Sequence, residues 1–289
     1  MITRLFTILT LFPFFSFSQG ASEIYLCNLK VKGGAVTISA PKNITNHPGY
    51  DNQPFFHPSQ PLIYYASFTD SSQSDIKTYN YQTNITKNFT ETPESEFSPT
   101  VTPDEKYISC IIQRNNGAQD FAEYPVGGGL PETIINYMLV GYHVWIDERS
   151  VLLFVLDDST HNSLHYFNLI TREDVVVAHN PGRSLHKIPG EEAVSFIEKK
   201  SENDWVIQKF NSKTREITTI APCIPKHEDI TWLKDGLILS SDGQKFFVYD
   251  TQKPNGWEPV KWNDTAIVLK NITRLAVNNA NNRLAIVAE

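Results

Sequence analysis

The chain has 289 residues, 40% of them hydrophobic and 12% aromatic, enough for a sizeable packed core. Its formal net charge is −7 and no Lys/Arg run is longer than Lys199–Lys200. That composition excludes a polyanion such as DNA or RNA as partner, because affinity for one depends on neutralising phosphates.

Met1–Arg4 is a short basic start, Leu5–Phe17 is apolar, and Ser16-Phe17-Ser18 offers small residues where a signal peptidase reads. This pattern predicts a signal peptide over 1–18, too short to span a membrane, and a secreted or periplasmic mature chain. Glu23–Leu29 and Ala35–Ser39 then read as two strands. Gln53–His57, Leu62–Phe68, Asp75–Tyr81 and Ile85–Thr90 follow as a four-strand unit with turns rich in Pro, Ser, Asn and Asp.

The unit recurs. Apolar second strands stand at Leu62–Phe68, Tyr107–Ile112, Val151–Leu156, Ala193–Ile197, Leu237–Leu239 and Leu284–Val287, their first residues 45, 44, 42, 44 and 47 apart. Third strands are Asp120–Tyr124, Leu164–Leu169, Trp205–Phe210 and Phe246–Asp250; fourth strands are Thr133–Ile135, Asp174–Val177, Ile217–Ile220 and Trp257–Val260. No segment keeps a 3.6-residue apolar period, so helix should be scarce. A repeat of this length fits a propeller blade. The last unit stops after its second strand, and Glu23–Leu29 with Ala35–Ser39 supplies the missing third and fourth. The expectation is an all-β, six-bladed β-propeller of four-stranded antiparallel blades, its last blade closed by N- and C-terminal strands. It forms a single domain over 19–289 and is monomeric. A solenoid would need no matching half-units at its ends.

Three cysteines, Cys27, Cys110 and Cys223, cannot all pair, and Cys27 and Cys110 read as small buried hydrophobes. No Cys/His cluster has zinc-site spacing.

The turns resemble the WD40-like repeats of TolB-type six-bladed propellers, whose signature is an aromatic residue, Ser-Pro-Asp-Gly and an apolar strand. The matching stretches are Phe56-His57-Pro58-Ser59-Gln60, Val101-Thr102-Pro103-Asp104-Glu105 and Trp232-Leu233-Lys234-Asp235-Gly236. Gly141-Tyr142-His143-Val144-Trp145 and Gly182-Arg183-Ser184-Leu185-His186 are similar to segments of exported bacterial TolB-like proteins of unassigned activity. The resemblance implies a six-bladed propeller of the bacterial envelope and gives no substrate. Propeller peptidases of the prolyl oligopeptidase type carry their triad on a hydrolase domain, and no Gly-x-Ser-x-Gly elbow occurs here.

In such a fold the residues entering each first strand ring one mouth of the central channel, where loops carry function on a rigid scaffold. Ionisable or amide groups stand at that phase in every unit: Asp51 and Asn52, Glu96, Tyr142 and His143, Arg183 and His186, Glu228 and Asp229, and Arg274. Three readings fit them. These groups satisfy one another and channel waters. Alternatively they form a pocket in which Arg183 and Arg274 grip an anion beside Tyr50, Tyr142 and Trp145. The third reading is a divalent-metal or hydrolytic site on Glu96, His143, His186, Glu228 and Asp229. The sequence favours a non-catalytic protein without a resident cofactor, binding a small molecule, peptide or envelope protein at the mouth. The alternative is a metal-dependent hydrolase or lactonase there.

Overall fold

The computed structural model describes residues 21–47, 49–68, 73–158, 161–264 and 267–289; the signal peptide expected at 1–18 lies outside them. Two strands come first, β1 (Glu23–Lys32) and β2 (Ala35–Asn43). Blade I is β3 (Asp51–Phe56), β4 (Leu62–Phe68), β5 (Ser74–Asn80) and β6 (Ile85–Asn88). Blade II is β7 (Ser95–Val101), β8 (Tyr107–Gln113), β9 (Gln119–Pro125) and β10 (Glu132–Ile135). Blade III is β11 (Val140–Asp147), β12 (Ser150–Asp158), β13 (His161–Asn168) and β14 (Asp174–His179). Blade IV is β15 (Pro181–Lys187), β16 (Ala193–Lys199), β17 (Trp205–Asn211) and β18 (Ile217–Pro222). Blade V is β19 (Ile230–Trp232), β20 (Leu237–Ser241), β21 (Phe246–Asp250) and β22 (Glu258–Pro259). The short β23 (Lys261–Trp262) precedes β24 (Arg274–Val277) and β25 (Arg283–Ala288). Among the described residues there is no α-helix, only a 3-10 turn at Lys234–Gly236.

Blade VI is built from both chain ends. β25 pairs antiparallel with β1 from Glu23↔Ala288 to Asn28↔Arg283, giving the order β24-β25-β1-β2. This blade departs from the expected four strands. β23, crossing over from blade V, adds in parallel to β2 at Thr37↔Lys261 and Ile38↔Trp262. It occupies part of an outer edge that would otherwise present unpaired backbone groups. The first strands touch in a closed circuit, β3 to β7, β11, β15, β19, β24 and back to β3.

The apolar residues sort into six clusters, each lying between two neighbouring blades, rather than into one central core. A blade is therefore covered on both faces. That is why its second strand is buried throughout, as in Ile108 to Ile112 or Val151 to Val155, instead of alternating. The outermost strands carry a recurrent irregularity. Register slips beside Ile134, Val177 and Ile220, and the amides of Phe89 and Thr90 both donate to the Ile76 carbonyl. Each extra residue turns an apolar side chain into the layer between blades while breaking the regularity of an exposed edge.

The hairpins into these outer strands repeat as well. Asn80, Asn168 and Asn211 each accept, through Oδ1, the backbone N–H groups two and three residues on. Each turn then closes through a left-handed residue, Asn84, Arg172 or Arg215. The two arginines recover part of that backbone cost by laying their guanidinium groups over Phe167 and Tyr166, 5.1 and 3.5 Å from the ring centroids. Trp145 of blade III donates to Ser109 Oγ of blade II, and Trp232 of blade V donates to Ser195 Oγ of blade IV, both at 2.8 Å. Cys27, Cys110 and Cys223 are buried and free, and burial raises their thiols, Cys27 and Cys223 to about 12.

Ile286 is fully buried in the blade V–VI layer on the closing strand. Ile286→Ala should cost about 2–5 kcal/mol by urea denaturation, whereas Val268→Ala, at an exposed site, should stay within about 0.5 kcal/mol. In blade II, Glu123 faces Glu132 directly across β9 and β10, and burial, Glu132 and Asp104 together raise it from 4.5 to about 7. The folded chain thus holds an extra proton at Glu123, and stability is lost as pH rises from 4.5 through about 7. Glu123→Gln should flatten that loss in urea midpoints measured across this window.

Candidate binding site at the channel mouth

Four first strands break register on the mouth side: beyond Asn52, beyond Phe97, between Val140 and Tyr142, and beyond Pro181. In blades I and II the irregular residue is left-handed, Gln53 (φ 57°) and Ser98 (φ 54°), and proline follows. Proline is tolerated because the innermost strand has a free edge facing the channel and no ladder bond to lose. Such bulges re-aim side chains. Gln53, Ser98, Tyr142, His143, Arg183, His186, Asp229 and Arg274 line one cavity of about 110 Å³ to which all six blades contribute.

The charges at the mouth are already interlocked. Arg183 Nη2 donates to Asp229 Oδ2 at 2.8 Å and to the Thr273 carbonyl at 3.2 Å, so one side chain of blade IV reaches the entries of blades V and VI. Glu228 Oε2 accepts the Arg183 backbone N–H at 2.9 Å and lies 3.0 Å from Lys199 Nζ. Arg274 Nε is 3.8 Å from Asp229 Oδ1, and its guanidinium sits 4.9 Å from the Tyr142 ring centroid. Burial opposes the charge on Arg183, but Asp229 and Glu228 outweigh it and raise its pKa further. Gly182 is what allows this approach: a Cβ there would stand 2.4 Å from Glu228 Oε2 and 2.8 Å from Ile197 Cβ. Three cations face two carboxylates, leaving one positive charge in excess.

Beside the cavity, a hollow of about 480 Å³ opens between blades III and IV. Tyr142, Phe154, Leu156 and Trp205 give it apolar surface; Arg183, Lys199, Glu202 and Glu228 give it charge. Tyr142 meets Phe154 edge-on, and Lys199 Nζ stands 4.3 Å from the Trp205 ring centroid. A larger crevice of about 840 Å³ lies between blades V and VI at the opposite end of the strands, among polar hairpin tips such as Gly33, Lys234 and Asn255.

The histidines of the channel are neutral and engaged. His143 Nε2 is 2.8 Å from Ser109 Oγ, and burial lowers its pKa to about 3. His186 Nε2 is 3.0 Å from Ser184 Oγ, and burial, with the Arg274 charge second, lowers it to about 4. Among the described residues no three His, Cys, Asp or Glu side chains converge as metal ligands.

Of the ten residues singled out in the sequence, Tyr142, His143, Arg183, His186, Asp229 and Arg274 meet in the channel, and Glu228 lines the adjoining hollow. Three point elsewhere. Glu96 is fully buried and accepts hydrogen bonds from Thr90, Thr92 and Tyr124 at 3.0, 2.6 and 3.0 Å, with burial raising its pKa. Asp51 is fully buried with Oδ2 3.1 Å from His47 Nε2. Asn52 accepts the Gln53 N–H and holds the local bulge. Along a strand, neighbouring side chains point to opposite sides, so equal phase in the repeat does not mean equal direction. Trp145 is likewise turned into the blade II–III layer. Lys199 and Trp205 escape a search of strand entries. They are cross-strand partners at the hairpin joining β16 to β17, and hairpins at that step emerge on the same face as the entries.

Blade III holds a further Ser–His–Asp alignment. Ser163 Oγ is 2.9 Å from His165 Nε2, and His165 Nδ1 is 2.7 Å from Asp174 Oδ1. Ser163 is 3% exposed and also donates to Asp157 Oδ2 at 2.9 Å, so its hydroxyl is closed to a substrate.

No family model and no curated protein sequence matches the chain. Solved structures do, at the level of fold. A putative TolB from Agrobacterium tumefaciens aligns with TM-score 0.70 at 11% identity over 93% of this chain and 99% of its own. TolB from Acinetobacter baumannii aligns at 0.62 and 10% identity over 92% of this chain; the chain spans 64% of that protein's length. A gluconolactonase from Xanthomonas campestris aligns at 0.62 and 10% identity over 93% and 97%. The fold is a TolB-like six-bladed propeller, one also used by enzymes.

His143 and His186 titrate below the ~6.5 of an exposed histidine, so the folded chain binds fewer protons there. Their contribution is lost as pH falls from about 6.5 toward about 4. His186→Gln should shrink the drop in urea midpoint across that window.

Proposed function

We propose that the protein is a non-catalytic binding propeller of the bacterial envelope that takes a small molecule, peptide or envelope protein at this mouth. The observation that carries the reading is the pairing of a fixed charge network with the aromatic hollow beside it. Its volume falls in the range of about 300–1,000 Å³ usual for ligand pockets. Arginine, tyrosine and tryptophan are the residue types that anchor partners. The network costs no reorganisation when a ligand arrives, because Arg183, Glu228 and Asp229 hold each other in place. The pattern at 1–18 supports export, and no helix among the described residues is long and apolar enough to cross a membrane.

A metal-dependent hydrolase at the same mouth finds less support. Both channel histidines give a ring nitrogen to a serine, and the two nearest carboxylates are matched by Arg183, Arg274 and Lys199. A divalent cation would have to displace the cations from those carboxylates, and among the described residues no three ligands converge on one point.

The test is a thermal-shift screen of short peptides, sugars and small carboxylates, followed by titration of each stabilising compound. Trp205→Ala and Tyr142→Ala should each weaken binding by about tenfold or more, or about 1.4 kcal/mol. Unchanged affinity in both would overturn the assignment to this face. Manganese, zinc or calcium should leave the melting temperature unmoved, and a stoichiometric, saturable rise would overturn the non-catalytic reading.

A further inference from the structure

Four buried polar atoms of the channel cavity lack a hydrogen-bond partner: Ser98 Oγ, His143 Nδ1, Arg183 Nε and Asp229 Oδ1. Unpaired buried polar groups are rare and costly, and four around one cavity point to something that fills it. At about 110 Å³ the space is well above the ~10–15 Å³ that admits one water.

What these atoms require can be counted. Ser109 Oγ receives the Trp145 N–H at 2.8 Å and donates to the Thr100 carbonyl at 3.1 Å. Its remaining lone pair accepts a hydrogen bond from His143 Nε2–H, which leaves Nδ1 of this cavity-lining residue as a bare acceptor. His143 is only 7% exposed, so this acceptor is not served by bulk solvent. Asp229 Oδ1 is a second acceptor without a donor. Arg183 Nε–H makes no hydrogen bond, the Glu228 Oε1 oxygen standing 3.6 Å away, and the Ser98 hydroxyl can act either way. Arg183 and Arg274 share Asp229, and Glu228, 3.6 Å from Arg183 Nε, is matched by Lys199, so the mouth carries one positive charge in excess.

A cation would meet two guanidinium groups. A plain carboxylate would press its oxygens against the lone pairs of His143 and Asp229. A neutral polyol would supply donors and leave the excess charge unanswered. We infer that the channel is a seat for a small anion carrying its own hydroxyl, of the hydroxy-carboxylate class. Its carboxylate answers the two arginines, and its O–H is given to His143 Nδ1 or Asp229 Oδ1. The seat belongs to the mouth assigned above and rests on that reading.

Three probes of similar size separate the contributions: glycolate has both groups, acetate only the charge, ethylene glycol only the hydroxyls. Fragments this small bind weakly, so nuclear magnetic resonance titrations of the whole mature chain would run to about 100 mM. Glycolate should saturate with an affinity about tenfold or more above either of the others. The nitrogen-15 spectrum should show His143 Nδ1 unprotonated in the free protein and shifted on glycolate binding. Arg274→Met should remove the advantage of glycolate over ethylene glycol, and His143→Phe its advantage over acetate. If His143→Phe does not fold, the spectrum of the native chain and Arg274→Met still decide.

A protonated Nδ1 in the free protein, no saturation by glycolate, or equal affinity for acetate would overturn the seat; failure to saturate would mean a channel holding water only. If glycolate fails while ligands sensitive to Trp205→Ala still bind, the seat falls and the mouth stands. If both fail, the mouth assignment falls too.

Discussion

The pairing of β25 with β1 is the constraint on which the rest depends. Six register pairs join the first described strand to the last one, and the two clusters flanking blade VI draw residues from both ends of the chain. Blades in a ring have no central core to fall back on; each is stable because two neighbours cover its faces. Without closure two blades would each lose one such cover, and the first strands would not meet around an axis. The channel exists because that circuit is complete.

Closure also makes the polar mouth possible. Arg183, Asp229, Thr273 and Arg274 come from three consecutive blades, and their contacts need the blades held at fixed angles. Charges taken partly out of water have value only when geometry is good and partners are present. The bulged first strands with Gln53-Pro54 and Ser98-Pro99, and the close approach at Gly182, are local departures from regular structure that the surrounding ring holds in place. They concentrate where side chains must be re-aimed toward the axis.

The neutral histidines fit the same account. His143 and His186 sit where burial, and for His186 the Arg274 charge, disfavours a second proton, and each is positioned by a serine. The mouth is therefore set up for recognition by fixed donors, acceptors and one excess charge, with the aromatic hollow between blades III and IV beside it. Metal-type convergence of ligands is absent among the described residues.

The repeat spacing, the apolar second strands and the matching half-units at the two ends determined the six blades and their closure. These are properties of periodicity and burial, which a single chain records directly. The phase at which polar groups arrive was legible too, and it put Tyr142, His143, Arg183, His186, Asp229 and Arg274 at the channel. Direction was not legible. Glu96 and Asp51 share that phase, yet both are buried away from the cavity, Glu96 against Thr90, Thr92 and Tyr124 and Asp51 against His47, as the alternation of strand side chains and the bulges beside them dictate. The partnership of Lys199 with Glu228 and Trp205 joins separate hairpins and strand entries. So does the sharing of Asp229 between two arginines. Only the tertiary structure decided them, because they depend on the angle between neighbouring sheets, and no spacing along the chain encodes that angle.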